Sequence, residues 1–68
     1  MCVMSEYGRL WQAVSDIRLR IRETLPSANT NTLAEATASV EAAEKMRELG
    51  YLLSDWAYYE RKMAQTDG

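Results

Sequence analysis

The side chains of this chain best suited to acid–base or metal chemistry are carboxylates, and Glu41, Glu44, Glu48 and Asp55 crowd into one stretch. Neighbouring acids of this kind can serve as a general acid and base, or as oxygen ligands for a hard cation. The rest of the inventory works against both. The sequence contains no histidine, which removes the usual base near neutral pH and with it any Cys–His or Ser–His arrangement. Cys2 is the single cysteine, so an intrachain disulfide is excluded and a tetrahedral N/S zinc shell cannot be completed. Gly8, Gly50 and Gly68 stand apart, and no glycine-rich loop is present to cradle a phosphate. The four carboxylates follow the solvent side of a helical pattern, which is the ordinary composition of a charged helix face. The expectation is a non-catalytic protein with no cofactor and no metal.

Charge narrows the partners. Ten acidic against eight basic residues give a net charge of −2, which disfavours nucleic-acid binding because that depends on neutralising phosphates. Arg18, Arg20 and Arg22 form a short basic run, but Arg20 points away from the other two at 100° per residue. A small DNA-associated regulator using Arg18, Arg22, Arg61 and Lys62 is the alternative reading. No stretch approaches the roughly 20 apolar residues that span a bilayer, and Met1–Met4 is too short for a signal peptide. A lone cysteine fits a reducing compartment. A cytoplasmic location without membrane contact is expected.

The elements follow from periodicity. Ser5 is suited to cap a helix with Glu6 in its first turn. Tyr7, Leu10, Val14, Ile17, Ile21 and Leu25 then recur at spacings of three and four, with Trp11 beside them. The first helix is placed at residues 5–24, ended by Pro26. Arg18 falls inside its apolar arc. Two roles suit it: methylenes laid along the core with the head in water, or a guanidinium paired with a carboxylate across a helix interface. Residues 25–31 form the connection, rich in turn formers from Pro26 on, and Thr32-Leu33-Ala34-Glu35 has the form of a capping box. The second helix is placed at residues 33–64.

That second helix carries two stripes. One is Leu33, Ala36, Val40, Ala43, Arg47, Tyr51, Ser54 and Tyr58, assigned to the side facing the first helix. The other is Ala42, Met46, Leu49, Leu53, Trp56, Glu60 and Met63, flanked by Leu52 and Tyr59. Unbroken, the helix would extend nearly 50 Å against about 30 Å for the first. Its aromatic end would lack intrachain cover. The expected fold is therefore all-α: one small domain formed by an antiparallel helical hairpin with a long second helix, dimerising into a four-helix arrangement. The alternative is a monomeric three-helix bundle broken at Gly50, where a glycine C-cap would end the second helix.

Trp, Tyr, Met and Arg are enriched in interfaces and hot spots. The partner or dimer interface is accordingly assigned to Arg18, Met46, Leu49, Leu53, Trp56, Tyr59, Glu60 and Met63. In general form, a short acidic helical hairpin with an aromatic second helix resembles small inhibitors and adaptors encoded by phages and mobile elements, including helical anti-activators of host regulators. That resemblance implies a homodimer that binds and inhibits or modulates a larger protein. It assigns no role to any single residue.

Overall fold

The computed structural model describes residues 5–66; the expectations attached to Cys2 and to Met1–Met4 lie outside the described residues. The fold is all-helical. It has α1 (Glu6–Thr24), α2 (Leu33–Ala42) and α3 (Met46–Gln65), with no strand among the described residues.

Local chemistry sets most of the boundaries. Ser5 caps α1, its Oγ accepting from the Gly8 N–H at 3.0 Å, which satisfies one of the donors a helix leaves free at its start. The α1 end is closed by the Leu25 N–H donating to the Ile21 carbonyl. At the head of α2, Thr32 Oγ1 accepts from the Glu35 N–H at 3.1 Å and donates to Glu35 Oε1 at 2.9 Å. This is the expected capping pair, with the glutamate reaching the threonine hydroxyl. Its other oxygen accepts from Asn29 Nδ2, so one carboxylate ties the connection to the helix.

The second helix does not run on to residue 64. It stops after Ala42 and restarts at Met46. Glu44 takes a φ of 57°. The Lys45 N–H donates back to the Val40 carbonyl at 2.9 Å, and the Glu44 N–H to Glu41 at 3.0 Å. Those two bonds make a Schellman end, with glutamate at the left-handed position usually held by glycine. The three-helix alternative therefore has the right number of helices but the wrong break. Gly50 lies inside α3, and no glycine has a positive φ among the described residues.

The break reverses the assignment of the two stripes. Leu49, Leu52, Leu53 and Trp56 join Val14, Ile17 and Ile21 of α1 and Ala36 and Val40 of α2 in the core. The side of α3 given to the first helix, with Tyr51 and Tyr58, faces solvent. The physical reason is a difference of magnitudes. Holding a non-glycine residue left-handed costs about 1–2 kcal/mol. Burying a leucine-sized side chain is worth about 1.5–3 kcal/mol, and the turn lets several be buried at once. α3 becomes the central element, packed against both α1 and α2.

Candidate functional site

The residues assigned to a partner interface separate into distinct environments. Leu49 and Leu53 are core residues, and Trp56 is 1% exposed. Tyr59 and Met63 are half-buried against that core. Placing these residues at an interface with a second protein is thus corrected for Leu49, Leu53 and Trp56: α1 and α2 already cover them. Met46 remains exposed. Glu60 Oε2 accepts the Trp56 indole N–H at 2.8 Å, so this carboxylate satisfies the polar edge of a buried ring.

Arg18 adopts neither of the two roles assigned to it in full. Its Nε donates to the Thr30 carbonyl at 2.8 Å, and Thr30 is buried. The guanidinium thus pins the loop between α1 and α2 to the flank of α1. That loop is held again by the Asn29 N–H donating to Ser39 Oγ and by the Asn31 N–H donating to Asn29 Oδ1. Among the described residues the ion pair formed is Lys45–Glu48, at 3.4 Å and exposed; Arg18 has no carboxylate partner across a helix interface.

Two surface features remain once the core is assigned. The first is a cleft of about 240 Å³ between α1 and α3, lined by Trp11, Val14, Arg18, Asn31, Trp56, Glu60 and Met63. Trp11 forms one wall and is 43% exposed. Typical ligand pockets run from about 300 to 1,000 Å³, so this cleft suits one protruding side chain better than a whole cofactor.

The second feature is the outer face of α3. Arg47, Tyr51, Tyr58 and Lys62 are spaced by four, seven and four residues, which places them on one side of the helix. All four are exposed, with Tyr51 at 57% and Tyr58 at 48%. The Lys62 ammonium sits 5.9 Å from the Tyr58 ring centroid, within cation–π range. The Tyr58 and Tyr59 rings meet edge to face at 5.4 Å. Arg20 of α1 donates to the Tyr51 hydroxyl at 3.2 Å, which steadies that phenol against α1. The stripe runs for roughly 22 Å at 1.5 Å per residue.

Trp11, Tyr51 and Tyr58 were missing from the interface assigned by sequence. A signal for the tyrosines was present: Arg47, Ser54 and Lys62 share their side, and a helix side holding two cations and a serine is poorly suited to a core. The carboxylates Glu41, Glu44, Glu48 and Asp55 are exposed. No group of three or more candidate metal ligands gathers among the described residues. No described helix is long and apolar enough to cross a membrane.

Searches against protein-family models, curated proteins and solved structures found no match to this chain.

Proposed function

We propose that this chain is a non-catalytic protein-interaction module of the cytoplasm, working as a homodimer that binds a larger protein and modulates or inhibits it. The observation that supports this reading is the outer face of α3, where two tyrosines about half exposed are flanked by Arg47 and Lys62. Tyrosine and arginine are the residue types that dominate binding hot spots. A phenol offers a large, rigid contact area with a polar tip and few rotatable bonds to immobilise. The cations favour an acidic patch on the partner, and charge of this kind acts mainly on specificity and association rate.

Affinity capture with the wild-type chain and a Tyr51→Ala/Tyr58→Ala variant tests this directly. The expected result is a captured protein that disappears with the double variant while the variant keeps its helical circular dichroism. Undiminished capture by the folded variant would contradict the assignment of the face.

The alternative of a small DNA-associated regulator keeps some footing, because Lys62 and Arg47 share this face. Its four named cations do not act alike: Arg18 is committed to the Thr30 carbonyl, and Lys62 lies over Tyr58. The discriminating observation is salt dependence. Binding to duplex DNA that falls steeply between about 50 and 200 mM salt would favour this alternative. The interaction module is expected to give no mobility shift with duplex DNA even at low salt.

A further inference from the structure

We infer that the cleft between α1 and α3 is the seat of a second copy of this chain, each copy inserting its Trp11 into the other's cleft about a twofold axis. The inference rests on the homodimer proposed above and names its surface.

Arg18 and Glu60 line the same cleft yet form no ion pair with each other within 4.0 Å among the described residues. Arg18 uses Nε on the Thr30 carbonyl, which leaves its terminal amino groups as donors. Glu60 uses Oε2 on the Trp56 indole, which leaves Oε1 as an acceptor. A twofold interface is isologous: where a residue of the first copy meets a given residue of the second, the reverse contact also forms. A surface bearing one unpaired guanidinium and one unpaired carboxylate is complementary to itself under that symmetry. It yields two equivalent Arg18–Glu60 pairs. An acidic or basic partner would match one of the two charges and oppose the other.

The apolar lining agrees. Trp11 is a wall of the cleft and one of the chain's large exposed hydrophobic residues. Beneath it Val14 and Trp56 belong to the core and Met63 is half-buried, so the cleft has an apolar base with Met63 as its most accessible part, in a volume suited to a single side chain. Reciprocal insertion covers in one step the exposed Trp11 indole and the half-buried Met63 of the facing cleft. Methionine at such a surface adapts its shape to an entering ring. The outer face of α3 stays free in this arrangement, so a dimer would present two tyrosine faces.

The test is sedimentation equilibrium of the full chain from micromolar to millimolar concentration. The wild-type chain is expected to reach twice the monomer mass. Trp11→Ala is expected to weaken self-association by on the order of tenfold or more, as for a hot-spot indole, with helical circular dichroism retained because Trp11 lies outside the core. Glu60→Gln keeps a carbonyl oxygen for the Trp56 N–H and removes the charge. It is expected to weaken the dimer and to flatten its salt dependence. A wild-type chain that stays monomeric throughout would overturn the inference, as would a Trp11→Ala chain that dimerises like the wild type. Tyr51→Ala/Tyr58→Ala serves as the control. It should dimerise normally, so loss of capture in that variant and loss of dimer in Trp11→Ala report on separate surfaces.

Discussion

Glu44 and Gly50 each hold a backbone conformation better suited to the other residue type. Glu44 occupies the left-handed position of the α2 end, where glycine avoids a steric penalty. Gly50 sits in the interior of α3 with ordinary helical geometry. A Cβ built there would meet the Met46 methyl at 3.9 Å, an ordinary van der Waals contact. Two opposite substitutions should therefore both stabilise. Gly50→Ala is expected to add about 0.5–1 kcal/mol, since glycine in a helix interior costs about that much relative to alanine. Glu44→Gly is expected to add up to about 1 kcal/mol by relieving the left-handed strain, less the extra entropy of the unfolded glycine. Urea unfolding checks both. A loss of stability in Glu44→Gly would mean that the α2–α3 junction is not the Schellman turn described here. Arg18→Ala should cost about 1–3 kcal/mol, because it strands a buried carbonyl at Thr30 and removes methylenes from the α1 flank.

At the scale of the helices, the sequence revealed more about where elements begin than about how they face one another. The start of α1, the Pro26 stop and the Thr32–Glu35 cap were all readable, because each depends on side-chain oxygens or a missing N–H within a few residues. The break at Glu44 was not. Ala42, Ala43, Glu44, Lys45 and Met46 are all strong helix formers, and no glycine or proline marks the turn. What stops the helix is tertiary: only a turn before Met46 lets Leu49, Leu52, Leu53 and Trp56 reach α1. Within α3 the destinations of the two stripes are exchanged, Leu49, Leu53 and Trp56 being core and Tyr51 and Tyr58 exposed, while Ala36 and Val40 of the tyrosine stripe are core residues of α2. The same logic gives the expected behaviour of the caps. Thr32→Ala removes the acceptor for the Glu35 N–H and should cost about 1 kcal/mol, with exchange of amide hydrogens accelerated first in α2. Uniform acceleration across all three helices would argue that α2 has no independent fraying.

The whole molecule is small enough that its core and the surface we propose for binding compete for the same few large side chains. A chain of 68 residues has a total stability of roughly 3–10 kcal/mol at the usual 0.05–0.15 kcal/mol per residue. Trp56, Ile21 and Val40 are its largest fully buried side chains. They leave Trp11, Tyr51 and Tyr58 as the aromatic groups available outside. That division is the central claim: the Leu49–Trp56 side of α3 holds the fold, and the Tyr51–Tyr58 side lies outside it, exposed, as the face we propose for a partner. Denaturant unfolding of Trp56→Ala beside Tyr51→Ala/Tyr58→Ala tests it most directly. Trp56→Ala should lose about 3–5 kcal/mol, a large share of that total, whereas the tyrosine double variant should stay within about 1 kcal/mol of wild type, at ±0.5 kcal/mol for each surface substitution. A stable, folded Trp56→Ala protein beside a collapsed tyrosine variant would contradict the account and return the tyrosines to the core.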